Sequence, residues 1–454
     1  MEKGGGNQDM SKRMLHSLGK IVHDGWFVEG DEQSNTSRRA LLKHNAMANI
    51  IANLIGGNFL TGLLLLMQAD DAFIGIIPML TFAGNLMQLL SPYILERFAR
   101  RKPILIAVRA TMHAINVVFI ALIPLMPAAT HTRLMLLAAS VLTVNILNAF
   151  LNPGMSIWHI AHIPPRVRVQ FFSTMHLLIG VAIALFNLVG SFVVDTFKTQ
   201  GQELLGLEIL RVIALAIAVY DIINLTRIKE LPYAQTGKRI SLRELLVKPF
   251  HNKIYMRTVL VIFIWSLFAN MPGSFYTVYL LKEQHVSYSY INTVAMFNVV
   301  VLILMTPVWR RIYTKHSWLK PLSFAMMLLS LHYLLLAFAS GDLLFLYPIG
   351  MIINYLCVSG INLAFSSVGY INIPEDNQTM YISFYATANN LAALAAATIS
   401  RTFVSGLGGL RFHIFGVPFG EKQLLMLMLC FLMLGGGIAV RYIYRRNKGQ
   451  GFQF

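Results

Sequence analysis

Twelve apolar runs, each about as long as a bilayer is thick, constrain this chain more than any other feature. They fall at 46–67, 73–95, 103–126, 133–156, 169–194, 207–226, 256–281, 288–309, 320–340, 343–366, 379–403 and 422–444. A helix needs about 20 apolar residues to cross the hydrocarbon core. In lipid only helices and closed barrels satisfy their own backbone polar groups. Barrel strands alternate apolar and polar residues, and these runs are uniformly apolar. The sequence therefore predicts an all-α polytopic membrane protein. Only 13% of the 454 residues are charged, against about 25% in soluble domains. Too little charge is present to wet the surface of a soluble fold of this length.

The loops between the runs set the orientation. Those on one side, with the two tails, carry 28 Lys and Arg residues. The opposite loops carry five: Arg133, Lys198, Lys282, Arg411 and Lys422. Basic loops stay in the cytoplasm, so both termini are expected there. The turn with Glu375 and Asp376 has no base, but acidic residues weigh little in this rule. The formal net charge of +17 thus reads as cytoplasmic anchoring charge, and no nucleic-acid partner is expected. No cleavable leader is expected either, because no apolar core follows Met1-Glu2-Lys3. Met14, Leu15, Leu18, Ile21 and Val22 have helical spacing, which fits an interfacial amphipathic helix or a weakly ordered tail.

The chain also repeats itself, at a separation of about 210–218 positions. Ala52-Asn53-Leu54 recurs as Ala269-Asn270-Met271, and the stretch from Gly57 to Thr61 recurs from Gly273 to Thr277. Ser91-Pro92 with Glu96-Arg97 and Lys102-Pro103 returns as Thr306-Pro307 with Arg310-Arg311 and Lys320-Pro321. Ile163-Pro164 before Phe171-Phe172-Ser173 returns as Ile373-Pro374 before Tyr381-Ile382-Ser383. Three matches in order imply six helices plus six, in parallel, about an axis along the membrane normal. The expected division is a cytoplasmic tail (1–44), a six-helix bundle (45–227), a basic cytoplasmic linker (228–254), a second bundle (255–445) and a short tail (446–454). Two similar halves can rock about a site at mid-membrane.

With this pattern the chain resembles the major facilitator superfamily along nearly its whole length after the tail. The most specific element follows the second span, where residues 92–102 read PYILERFARRK. The family pattern there is a small residue, three positions, Asp, a base, one position, Gly, then two bases. Pro92, Glu96 and Ala99 stand in for the first Gly, the Asp and the second Gly. The stretch from Trp158 to Arg168 is similar to bacterial members of unassigned substrate. The resemblance implies a monomer in the plasma membrane that moves a small solute by alternating access, without a cofactor. It gives Glu96, with Arg97 beside it, the part of a gate in the second loop. Arg100, Arg101 and Lys102 read more simply as bases that hold anionic headgroups of membrane lipids.

Polar residues inside spans usually face the bundle interior. The family lines its cavity mainly with spans one, four, seven and ten, helped by two, five, eight and eleven. Span one offers Asn53 and Asn58; span four offers Asn145, Asn148 and Asn152, which share one helical face. His176 stands in span five, Asn270 and Tyr276 in span seven, Asn354, Tyr355 and Asn362 in span ten, Tyr385 and Asn389 in span eleven. Amides and phenols supply neutral donors and acceptors, which suits a neutral polar or amphipathic solute. The same Asn residues could equally be interhelical glue. Charge at depth is scarce. Asp221 in span six and Arg109 in span three could form a static pair, or Asp221 with His176 could couple transport to protons, with His113 and His332 behind them.

Other classes find less support. Cys357 and Cys430 lie in apolar runs and form no CxxC or disulfide framework, and no metal set is present. No HExxH, GxSxG, phosphate loop or paired intramembrane carboxylates argue for a membrane enzyme. A transporter-like sensor usually appends a soluble domain, for which these loops are too short. A lipid flippase would share the fold, and fold alone does not separate these cases.

Overall fold

The computed structural model describes residues 32–91, 98, 100–163, 168–230, 247–316, 319–368, 378–414 and 416–447. The tail helix expected around Met14–Val22 lies outside them. Among the described residues the helices make up twelve spans. Among the described residues nine helices are long and apolar enough to cross a membrane. Span two, Asp71–Leu86, is shorter. Spans six (Glu203–Thr226) and eleven (Gln378–Gly406) complete the set.

Local chemistry sets several helix ends. Asp70 accepts from the N–H of Phe73 at 2.6 Å and opens span two. Asn252 caps span seven through Tyr255 N–H at 3.0 Å, and Ser287 caps span eight through Tyr290 N–H at 3.2 Å. Each side chain satisfies one of the donors that a helix start leaves orphaned. Pro103 sits at the start of span three, where its missing N–H costs nothing.

Spans one and seven break at matching points of the repeat. Span one is two helices, Glu32–Leu54 and Gly57–Leu66. Span seven is Lys253–Asn270 followed by Phe275–Val278. Gly57 and Gly273 lie at the breaks with φ of +51° and +45°. A side chain at Gly57 would meet open space, so conformation, not crowding, calls for glycine there.

In the first bundle span one packs on spans five and six, and span four on spans two and three. In the second, span nine packs on ten and twelve, eight on ten, and seven on eleven. The bundles meet mainly through spans two with eleven and five with eight. Large apolar side chains point outward: Val212, Phe431, Val189 and Leu304 are 66, 65, 62 and 62% exposed. On a soluble surface such a belt would be an aggregation site; here it is the face that lipid wets.

Two features differ from what the sequence predicts. The first helix begins at Glu32, well before the boundary drawn at residue 45. Its early turns are buried because they tie other spans together. Arg38 Nε donates to the carbonyl of His162 at 2.9 Å, and Asn224 donates to that of Ala40 at 2.5 Å. The loop before span twelve forms a small antiparallel hairpin, β1 (Phe412–Ile414) and β2 (Val417–Phe419). Phe419 anchors it edge-on against Phe338, with ring centroids 5.1 Å apart.

Candidate functional site: a polar cavity under an outer seal

A cavity of about 1080 Å³ lies along the inner face of the first bundle. It runs from Thr61 and Leu64 in span one down to Asn152 and Met155 in span four and Met175 in span five. Among the described residues only Ser274 comes from the second bundle.

Its polar wall is built from asparagines on two helices. The span-four trio Asn145, Asn148 and Asn152 all line it. Facing them, Asn45 and Asn49 of span one line it too. Span one carries a ladder in which each amide donates to the backbone four residues back. Asn45 bonds the carbonyl of Leu41 at 2.9 Å, Asn49 that of Asn45 at 2.8 Å, and Asn53 that of Asn49 at 2.8 Å. Asn145 does the same to Val141 at 2.8 Å and reaches Thr81 Oγ1 at 3.4 Å. These bonds fix the amides against their own helices. Asn116 of span three adds a further amide.

Beside the asparagines stands a charged cluster. Asp221 of span six is fully buried. Its Oδ1 takes His44 Nδ1 at 2.7 Å; its Oδ2 takes Arg109 Nε and His113 Nε2, each at 3.2 Å. An ionised carboxylate only accepts, so both rings carry hydrogen on the nitrogen that faces it. His44, Arg109 and His113 line the cavity, with Asp221 behind them. The cluster ties spans one, three and six together.

The outer end is sealed between the bundles. Lys422, 2% exposed, donates to Asp71 at 2.5 Å, Glu283 at 2.6 Å and Glu421 at 2.8 Å. Arg411 Nη1 meets Glu421 at 2.9 Å, and Lys282 meets Asp71 at 3.5 Å. Asp71 belongs to the first bundle and the other five to the second. Three of the five outer-loop bases thus meet in one knot of three cations and three carboxylates. Nearby, Arg401 Nε holds the carbonyl of Ala72 at 2.9 Å. Asp195, at the outer end of span five, accepts from the N–H groups of Tyr288 and Ser289 at 3.0 and 2.7 Å, an anion at a helix N-terminus. Asn292 of span eight donates to Ser191 of span five at 2.6 Å. All of these bonds between the bundles lie in the outer half.

The other sequence candidates are dispersed. Asn53 turns into its ladder, and Asn270, its repeat mate, likewise donates to Ser266 O at 2.7 Å. Asn58 joins the bundles, 3.5 Å from Asn292 and 3.3 Å from Thr277. Tyr276 is buried with its hydroxyl 3.5 Å from Leu336 O. Asn354, Tyr355, Asn362, Tyr385 and Asn389 do not line the cavity. The Tyr385 hydroxyl is buried without a hydrogen-bond partner among the described residues. Glu96, Arg97 and the side chain of His176 lie outside the described residues. Arg100 is exposed and Arg101 buried. Lys102 serves the fold, since its ammonium caps the end of span six at the carbonyls of Thr226 and Ile228, both 2.7 Å away. Sequence reasoning missed Asn45, Asn49, Asn116 and His44. The i, i+4, i+8 spacing of Asn45, Asn49 and Asn53 was the available signal.

The Major Facilitator Superfamily model matches residues 45–397, and the chain belongs to that family. Its fold is the family's twelve helices in two six-helix bundles, which fits a multi-pass protein of the plasma membrane. Solved structures of similar fold include the nucleoside transporter NupG in a mutant form, at 12% identity and a TM-score of 0.65 over 90% of this chain and 99% of that one. A POT family transporter in complex with a thioalcohol-conjugated peptide aligns at 12% and 0.64, over 91 and 96%. A bacterial homologue of the iron transporter ferroportin, in an inward-facing state, aligns at 11% and 0.65, over 91 and 98%. At such identities the likeness is one of fold. A search of curated proteins finds no match.

Proposed function

We propose that this chain is a secondary transporter that binds a small polar solute in the first-bundle cavity and releases it by alternating access. The observation that carries this reading is an asparagine-lined cavity that reaches the inner ends of spans one, four and five beneath a sealed outer end. On this reading the structure is the inward-facing state. Rocking the halves would part Asp71 from Lys422 and open the same cavity outward. The family pattern over residues 92–102 gives Glu96 the corresponding latch on the cytoplasmic side.

The test is flux into proteoliposomes holding the purified full chain, over nucleosides, short peptides, sugars, amino acids and dyes. Saturable flux that Asn148→Ala weakens supports the reading. Folded protein that moves none of these solutes, with or without a pH gradient, contradicts it.

A further inference from the structure

The chemistry of the wall narrows the class of solute. Arg109 is 5% exposed and lines the cavity. Only its Nε is engaged, by Asp221. Nη1 and Nη2 have no hydrogen-bond partner among the described residues, yet neither belongs to the polar atoms sealed away without one. They are therefore not sealed away, and the cavity that Arg109 lines is the space open to them. Among the described residues no Asp or Glu lines that space. Two terminal N–H groups in one plane are the half of a bidentate pair that matches a carboxylate or a phosphate.

We infer that the solute carries an anionic group, carboxylate or phosphate, which the free edge of the Arg109 guanidinium binds, with Asn148 and Asn152 bonding the neutral remainder. This rests on the transporter reading above. Alternating access passes through an occluded state in which bulk water is gone. A neutral solute would then leave the guanidinium edge bare in a dry site, which is costly. A cationic solute would meet Arg109 with no carboxylate on the wall to compensate.

Charge balance adds a consequence. Asp221 and Arg109 cancel, so a bound anion leaves the site at −1. One proton on His44 or His113 restores neutrality. Among the described residues the charged and titratable groups facing one another here are His44 from span one, Arg109 and His113 from span three, and Asp221 from span six. Spans two, four, five and seven add none to the cavity wall among the described residues. Anion binding should therefore tighten as the pH is lowered and one of these two rings gains its proton.

The experiment is thermal melting of the purified full chain with matched probes: benzoate against benzamide, lactate against lactamide, glycerol 3-phosphate against glycerol, and inorganic phosphate alone. The expected result is stabilisation by an anionic probe and not by its neutral twin, growing as the pH is lowered. Which anion succeeds separates carboxylate from phosphate. Arg109→Lys, which keeps the charge beside Asp221 but loses the fork, should weaken binding at least tenfold. The paired change Arg109→Gln with Asp221→Asn removes both charges together and should fold without binding anions. A purely structural role for Arg109 predicts instead that this pair binds as the unaltered chain does, and that result overturns the inference. Equal binding of twins, or no anion binding at all, also overturns it. Asn148-dependent flux of a neutral solute that ignores Arg109→Lys would end this inference while the transporter reading stands. Anion binding without flux of any solute would instead count against the transporter reading.

Discussion

The two halves of this molecule share a repeat, yet they do different work. Both break the first span of the half at a left-handed glycine, Gly57 or Gly273, within one helical turn of an asparagine, Asn53 or Asn270, that bonds its own backbone. There the likeness stops. The first half turns amides, two histidines and an arginine toward open space. The second half spends its polar groups inside: Tyr276 lies tilted against both Tyr279 and Tyr347, and His332 bonds Gly350 O at 2.8 Å. The second half also supplies most of the outer seal. A repeat in backbone geometry thus does not imply a repeat in chemistry. On the proposed reading one half holds the site and the other closes over it.

The largest effect should come from the buried cluster. Asp221→Ala leaves Arg109 charged and unpaired, at a cost of about 3–5 kcal/mol, read as lost thermal stability in detergent. Adding Arg109→Gln should recover most of it. If Asp221→Ala alone is harmless, the cluster is not what holds spans one, three and six together.

Next comes the seal. Lys422→Met leaves Asp71, Glu283 and Glu421 facing one another without their shared cation, and like charges so close repel. The equilibrium should move toward the outward-open state. A cysteine introduced at Leu60, on the cavity wall, should then react with an impermeant thiol reagent from outside about tenfold faster. An unchanged rate would mean that the ion knot does not govern opening.

A smaller contrast separates the halves directly. Asn148→Ala should lower flux about tenfold, near the upper value of one neutral hydrogen bond, about 1.5 kcal/mol. Asn354→Ala, in span ten, should leave flux within about twofold, which is within the scatter of a neutral change. Smallest of all, Gly57→Ala and Gly273→Ala should each cost about 1–2 kcal/mol in melting experiments, the penalty of an L-residue at positive φ. Unequal costs would show that the two breaks are not equivalent.

Much of the architecture was legible because it rests on composition along the chain. Spans, loop charges and the repeat are local or additive signals. Asn145, Asn148 and Asn152 were readable for the same reason: one helix face is a matter of spacing. The cluster on Asp221 was only half visible. Arg109 and Asp221 stood out as charges at depth, but His44 read as tail because hydropathy starts the span at residue 46, whereas the helix starts at Glu32. What buries His44 is its meeting with span six, 177 residues away in sequence. The asymmetry between the halves was equally hidden. Asn270 and Asn354 have the same composition signal as Asn148, and only packing decides which amides face space. Lys102 likewise read as headgroup anchoring until its carbonyl partners at the end of span six were in view.

The claim that the first half carries the site is tested most directly by solute protection. Single cysteines would be placed at Asn148→Cys and Asn354→Cys in a chain with Cys357 and Cys430 replaced, and labelled from the cytoplasmic side with and without a transported solute. If the first half holds the site, Asn148→Cys is labelled and solute protects it, while solute leaves labelling at Asn354→Cys unchanged. Protection at Asn354→Cys with none at Asn148→Cys would contradict that claim and move the site to the second half.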